Sequence, residues 1–347
     1  MRMPVAIDRS VSSSAMRGVT LVELMVSMVL GLLLMTGAIS IFVSSKQVYH
    51  TEEAMSRNQD NGRFLTDLLV KKIRNAGYTG CSNLEELHPN VIAEPPPVSG
   101  FSLDSSLIGY DGDGTNGTGD NWANPTAIPR VEGTDIITVG QGGECGADLT
   151  GNMDTVNANI QILAGGGCDF NAGDYLLITD CESADLFRSS SVSESSGKET
   201  IAHAENVNTA NFLSKTYQAG STIFHFTHTT YFIGISPTTG NPTLYRVVNG
   251  KSPEDLVENV QDMQFLYGVD TDANGVVNRY ATAAGVTDWS QVLSAGISLL
   301  MRSDENNVTM QPQVLTFNGI SVNDGENADK RLRNIFNTSV TVRNRVP

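Results

Sequence analysis

From Val19 to Val43 the chain runs through 25 residues whose only charge is Glu23. At a helical rise of about 1.5 Å per residue this stretch covers the roughly 30 Å hydrocarbon thickness of a bilayer, with some tilt. A secretory signal would place small residues for its peptidase after the apolar run, whereas Gly18 stands before it. Any cleavage therefore falls on the cytoplasmic side. With 347 residues in all, the rest of the chain is long enough to bury a substantial core of its own.

Charge orients the segment. Residues 1 to 18 hold Arg2, Arg9 and Arg17 against Asp8, a local +2, in a chain whose net charge is −16. Arginine ahead of a first span keeps the leader in the cytoplasm and sends the remainder across. The acidic balance argues against a partner read through its phosphates, so nucleic acid is not an expected partner. Cys81, Cys145, Cys168 and Cys181 all lie beyond the span, an even count suited to an oxidising compartment. Three connectivities are open. Cys145 and Cys168 bracket a glycine-rich excursion and are a natural pair, which leaves Cys81 with Cys181.

An acidic side chain inside a span is costly and calls for compensation. If the chain is cut after Gly18, the new α-amine of Val19 is a cation about one helical turn from Glu23. A neighbouring subunit displaced along a shared axis would pair the two without bending the helix. A Glu tolerated near the headgroups explains the same spacing.

The residue types favour the first account. "GVTLVE", Gly18 to Glu23, closely resembles the processing and methylation motif of type IV prepilins, with Val19 where Phe is usual. The resemblance implies that Gly18 and Val19 flank the bond cut by a prepilin peptidase, that Val19 is then N-methylated, and that Glu23 is the carboxylate that docks the subunit into a filament. Residues 1–18 are then a cytoplasmic leader and 19–43 the transmembrane half of a long helix.

Helical periodicity continues beyond the membrane. No proline occurs between Pro4 and Pro89, and Val48, Met55, Leu65, Leu68, Leu69, Ile73 and Ala76 recur at spacings of threes, fours and sevens. Glu53 with Arg57 and Asp67 with Lys71 form acid-before-base pairs four apart. Gly77 follows as a C-cap. Residues 44–76 read as the amphipathic half of the helix, about 87 Å long from Val19 to Ala76.

After Gly77 the period becomes two. Residues 134–140, 157–164, 174–180, 221–236, 243–248, 263–269, 292–303 and 338–345 read as strands separated by Gly, Asn, Asp and Pro. Residues 111–125 and the serine-rich 189–199 read as surface insertions, and "SPEDLVENV", 252–260, as the start of a short helix. The fold class expected is α+β and pilin-like: a long N-terminal helix packed on a large, mainly antiparallel β head over 77–347.

"GYTGC" (77–81), residues 258–283, "DWSQVLSAGISLLMRS" (288–303) and "RLRNIFNTSVTVRNR" (331–345) resemble the PilW family of type IV pilus minor pilins. That resemblance implies a place in the priming and tip complex, in the service of adhesion and twitching motility. It implies as partners the major pilin, other minor pilins, the prepilin peptidase, an inner-membrane assembly platform and a large tip adhesin. It also implies a head in the periplasm that becomes extracellular after assembly. Two alternatives use the same front: a minor pseudopilin of type II secretion, and a single-span anchored binding module or enzyme.

Chemistry-bearing motifs are few. "DTDANG" sets Asp270, Asp272 and Asn274 on alternate residues before Gly275, an oxygen-rich turn of the kind that wraps Ca2+, although Ala281 stands where an EF-hand needs a bidentate Glu. An acidic hairpin explains the same letters, so a structural Ca2+ is the one candidate cofactor. Asp111, Asp113 and Asp120 form a more glycine-rich acidic stretch. His225 and His228, three apart on a strand, point to opposite faces and cannot share an ion. There is no HExxH, GxSxG or GxxxxGK[ST] motif, and no enzyme is expected.

Overall fold

The structure, a computed structural model, describes residues 18–80, 87–97, 106–112, 122, 124 and 126–345. It divides into two compact units, Met1–Glu52 and Glu53–Pro347. One helix, α1 (Leu21–Arg74), contributes to both. Its first turn carries Glu23 and its last turn Lys71, Lys72 and Arg74, the charge order that complements a helix dipole.

In the first unit α1 offers its side chains to the surroundings all round: every residue from Leu21 to Lys46 is exposed. This is the one helix among the described residues long and apolar enough to cross a membrane. Its interior hydroxyl Thr36 donates to the Leu32 carbonyl at 2.8 Å, which leaves no bare polar group for lipid to meet there.

In the second unit α1 is amphipathic. Asn58, Gly62, Leu65, Leu69 and Ile73 are buried, spaced by threes and fours along one face. The face closes on a ring: a Cβ at Gly62 would overlap the Phe336 side chain. Asn58 Nδ2 reaches the Leu332 carbonyl and Asn334 Oδ1, both at 3.3 Å. The helix ends at Arg74, two residues short of the expected Ala76; Gly77, expected as its C-cap, has φ +75° in the turn that follows, its N–H goes to the Gly140 carbonyl at 2.9 Å, and Asn344 Nδ2 donates to the Ala76 carbonyl at 3.1 Å. The end of the helix is thus tied to a strand and to the far end of the chain.

Seventeen strands follow among the described residues: β1 (Asn90–Val91), β2 (Leu107–Tyr110), β3 (Ile136–Asp148), β4 (Ile160–Leu163), β5 (Tyr175–Thr179), β6 (Ala184–Arg188), β7 (Ser191–Ser195), β8 (Lys198–Ala202), β9 (Thr222–Ile235), β10 (Pro242–Val248), β11 (Glu254–Glu258), β12 (Val260–Val269), β13 (Arg279–Ala281), β14 (Val292–Arg302), β15 (Leu315–Phe317), β16 (Ile320–Val322) and β17 (Arg333–Thr341). All pair antiparallel except β1 with β6. The α+β, pilin-like class read from the sequence is what the chain adopts. An eight-stranded sheet is centred on β9, which has β3 along one edge and β5 and β10 end to end along the other. A second sheet runs β13-β12-β14-β17, a third β4-β8-β7, and β15 pairs with β16.

Two large cores share the eight-stranded sheet. Leu65, Leu69 and Ile73 of α1 meet Tyr231, Ile233 and Leu244 of that sheet and Met263, Phe265, Ile297 and Leu299 of the second sheet. A separate core gathers Ile160, Ile162 and Ile201 of the third sheet over Leu176, Ile178, Phe187 and Ile223. Burial of this kind is worth about 25 cal/mol per Å2 of apolar surface and dominates the fold.

One expectation is corrected, and the structure adds detail to two others. Residues 252–260 form no helix; Glu254–Glu258 is β11, paired with β10 through a bulge at Leu244/Tyr245. The exposed edge of β10 offers a full ladder of hydrogen bonds, which outweighs the helix-start signal of one Ser-Pro and two acids. The serine-rich 189–199, expected as a surface insertion, forms the hairpin β7–β8, with β7 mostly exposed. Ser196 (φ +54°) and Gly197 (φ +74°) make its two-residue turn, and Val192 pairs with Ile201. The stretch 111–125 is anchored where it is described: Asp111 is buried, and Trp122 packs 5.1 Å from Phe232. Asp113 and Asp120 lie outside the described residues.

β3 also runs eight residues past its expected end, through "QGGECGAD". The glycines serve a close approach, since a Cβ on Gly142 would lie 2.9 Å from the Tyr78 carbonyl that its own N–H binds at 2.7 Å. β17, expected at 338–345, starts at Arg333 and gives way to a 3-10 turn at Arg343–Arg345.

Candidate processing and assembly site

The chain enters α1 through a reciprocal cap. Thr20 Oγ1 accepts the Glu23 N–H at 3.3 Å, and Glu23 Oε2 accepts both the Thr20 N–H and its hydroxyl at 3.0 Å. This is a capping box, Thr-x-x-Glu ahead of an apolar run. The Thr20–Glu23 spacing spells this cap, in addition to the charge that Glu23 brings into the span.

Both oxygens of the carboxylate matter. Oε2 is engaged by Thr20, whereas Oε1 accepts no hydrogen bond among the described residues. One lone-pair face is therefore open to an outside cation. The backbone just before it is equally open: Gly18 and Val19 lie outside the helix, Val19 is 73% exposed, and a Cβ on Gly18 would meet no atom within 4 Å. An accessible peptide bond outside the helix, followed by a capped helix, is suited to capture by a protease.

Of the four cysteines, Cys145 and Cys168 are joined, closing a loop of 23 residues in sequence, and both border the core beneath the third sheet. Cys181 is also disulfide-bonded; Cys81, the partner suggested for it, lies outside the described residues.

The DTDANG turn draws Asp270, Asp272 and Asn274 together around its own backbone. Asp270, buried at 4% exposure, accepts the N–H groups of Asp272 (3.3 Å), Asn274 (3.2 Å) and Gly275 (2.7 Å). Desolvation would raise its carboxyl, but these amides, Gly275 first, hold it below the ordinary carboxylate range. Asp272 is bound by the side-chain amides of Asn274 (3.2 Å) and Asn278 (3.1 Å). The oxygens are committed to the hairpin between β12 and β13. His225 and His228 alternate across β9, His228 buried and His225 half-buried against Phe170.

A buried joint links the two large sheets. Asp135 Oδ1 accepts the Gly112 N–H at 2.9 Å and Oδ2 the Phe265 N–H at 2.8 Å, while the Asp135 N–H goes to the Met263 carbonyl at 2.9 Å. Desolvation pushes the Asp135 carboxyl up to about 7 against the pull of those two amides, and Asp111 and Asp262 add to the rise. Asp111 in turn caps the 3-10 turn Ala283–Gly285 by accepting from Ala283 (2.7 Å) and Ala284 (2.8 Å). The C-terminal arginines are mostly internal ties: Arg345 Nη1 donates to the carbonyls of Trp289 (2.7 Å) and Val292 (3.0 Å).

Compared with known families, residues 230–344 match PilW, described as Type IV Pilus-assembly protein W. Residues 13–39 match the prokaryotic N-terminal methylation motif. The first match spans the end of β9 through β17, the strands against which α1 packs; the second contains Gly18, Val19, Thr20 and Glu23. No curated protein matches, and no solved structure matches. The core beneath the third sheet falls in a part of the chain that neither family match covers. Both matches point to a structural subunit of a pilus system.

Proposed function

We propose that this type IV pilus-related minor pilin, membrane-anchored by α1, is cut between Gly18 and Val19 by a prepilin peptidase and N-methylated on Val19. It then docks into the priming and tip complex through Glu23. The observation that supports this most directly is the pairing of an accessible Gly18–Val19 bond with a carboxylate whose Oε1 is open, inside a matched methylation motif. In a bundle of such helices the α-amine of Val19 of one subunit meets the Glu23 carboxylate of another, and in lipid a charge pair of this kind is favoured over two separate charges. The head lies in the periplasm before assembly and on the pilus after it. There it contacts other minor pilins, the major pilin and a large tip adhesin, with the assembly platform acting at the inner membrane.

N-terminal mass spectrometry of protein extracted from membranes of a host with the peptidase tests the first step. Mature protein beginning at methylated Val19 is expected; protein beginning at Met1 overturns the reading. Substitution of Glu23 by Ala, followed by counting of surface pili and co-purification of other pilins, tests the second. Undiminished piliation and association in a strain without other copies would overturn it.

A further inference from the structure

The outward face of the second sheet ends on two arginines that stand directly opposite each other, Arg302 of β14 and Arg333 of β17. Like charges at facing positions of an antiparallel pair destabilise it. The two are treated very differently. Arg333 is 4% exposed and fully matched: Nη1 and Nη2 bind Asp329 Oδ1 and Oδ2 at 2.6 and 3.0 Å, and Nε binds Gln261 Oε1 at 2.8 Å. Arg331, next along, donates through Nη1 to the carbonyls of Ser303 (2.7 Å) and Asp304 and sits 3.8 Å from Asp329.

Arg302 has no such match. The one hydrogen bond of its guanidinium among the described residues is a 3.4 Å contact from Nη2 to Asn241 Oδ1, and its Nε is buried without an acceptor. Asp304, two residues along the chain, instead accepts the amides of Asn241 at 2.9 Å and Asn259 at 3.4 Å. Burial, then the charge of Arg331, lowers the pKa of Arg302; Arg333 acts in the same direction, and Asp329 and Asp304 oppose them. In a chain of net charge −16, a half-buried guanidinium without its acid is an exception that needs an explanation.

We infer that Arg302 is the anchor of a binding site for a single carboxylate carried by a neighbouring subunit of the assembly, received by its two Nη groups with Asn241 alongside. A planar guanidinium takes a carboxylate in two parallel hydrogen bonds. A monoanion balances the one unmatched charge, while a dianionic phosphate would be repelled by Asp304 and Asp329. The identity of the carrier as a neighbouring subunit rests on the assembly reading above; the carboxylate chemistry rests on the cluster itself.

The test uses the full chain in detergent micelles and follows the backbone amide resonances of residues 302–304 and 331–333. The probes are acetyl-Gly-Glu-Gly amide, which carries a side-chain carboxylate, and acetyl-Gly-Gly-Gly, which carries a terminal one. Acetyl-Gly-Gln-Gly amide and inorganic phosphate serve as comparisons. Saturable shifts with a carboxylate probe are expected, and which of the two saturates first tells a side-chain from a C-terminal source. Affinity should fall about ten-fold or more in R302Q and by less in R302K, which keeps the charge but not the fork, and stay unchanged in R343Q. R302Q should melt no lower than the parent, because it removes a like-charge contact; if it unfolds, R302K carries the comparison. Equal shifts with the Gln probe, tighter binding of phosphate, or full affinity in R302Q and R302K would each overturn the site. Cleavage after Gly18 is read separately: normal cleavage with no Arg302 dependence sinks the site alone, and loss of cleavage with binding intact sinks the assembly reading alone.

Discussion

Asp135 and Phe265 stand 130 positions apart in the chain, yet the carboxylate of one accepts the backbone N–H of the other at 2.8 Å. Phe265 lies on β12 beyond the reach of β13, whose pairing begins at Tyr267, so its outward N–H has no strand to receive it. Asp135 supplies the acceptor and in doing so fastens the start of β3 to the second sheet. One side chain stands in for a missing strand.

That position predicts an unusual pH dependence. The folded-state pKa of Asp135 is raised from 3.8 to about 7, so the native state holds this proton more tightly than the unfolded chain. Its contribution to stability is greatest below about pH 4 and is lost as pH rises through about 7, at up to about 1.4 kcal/mol per pH unit. Urea unfolding of the full chain in micelles, followed by Trp fluorescence from pH 4 to 8, should show this slope. Asp135→Ala should remove it while lowering stability throughout, by about 1–3 kcal/mol for each amide left without an acceptor. An unchanged slope in the variant would count against the assignment.

The Asp329–Arg333 pair has the opposite sign. The Arg333 hydrogen bonds, outweighing desolvation, hold the Asp329 carboxyl below its ordinary value of 3.8. Its contribution is therefore present above about pH 4 and lost as pH falls through the folded-state pKa. Asp329→Asn should cost about 3–5 kcal/mol at pH 7, because Arg333 is left buried without its acid, and this penalty should shrink toward pH 3. A penalty that stays constant down to that pH would contradict the pairing.

Gly62 yields a prediction whose sign decides it. In an exposed helix interior, Gly→Ala stabilises by about 1 kcal/mol. Here the added Cβ meets the Phe336 ring, so Gly62→Ala should destabilise by about 1–3 kcal/mol. The loss should be mostly relieved in a Phe336→Leu background, a non-additivity that a double-mutant cycle in urea measures directly.

Removing the Cys145–Cys168 bond by paired serine substitution frees a loop of 23 residues, a loss of about 3 kcal/mol in the chain-entropy account. The effect should be local. Amide exchange should quicken across β4, β7 and β8, which share that core, and stay slow in β12, β14 and β17. Quickening spread evenly over both cores would show that they do not melt as separate units.

These examples mark where the sequence was readable and where it was not. Leu65, Leu69 and Ile73 declared the helical stripe through local spacing, and "STIFHFTHTTYFIGIS" and "VLSAGISLLMRS" declared their strands through β-branched and aromatic residues, because periodicity is a property of neighbours in the chain. β11 was hidden because its choice of strand over helix depends on the free edge of β10, which no local window contains. Asp135 was hidden for a similar reason: its partner is a backbone amide, and a backbone amide has no letter. Arg302 lies inside the strand expected over 292–303, and nothing local marks it, because its meaning comes from its register against Arg333. At the N-terminus the letters are sufficient: Thr20 and Glu23, three apart ahead of an apolar run, spell a cap as well as a charge.

The cap allows charge and helix entry to be separated. Glu23→Gln keeps an oxygen that can accept from the Thr20 N–H, so the capping box survives while the negative charge is gone. Thr20→Ala removes the cap's hydroxyl and keeps the charge. If Glu23 serves assembly as a counter-ion to a neighbouring α-amine, Gln should reduce co-purification of partner pilins and surface pili nearly as severely as Ala does. Thr20→Ala should then cause only a several-fold loss through fraying of the first turn. If Glu23 serves only to start the helix, the order reverses, and Gln is close to silent while Thr20→Ala and Glu23→Ala match. Cleavage after Gly18, read by mass spectrometry in all three variants, establishes that each was presented to the membrane before assembly is scored.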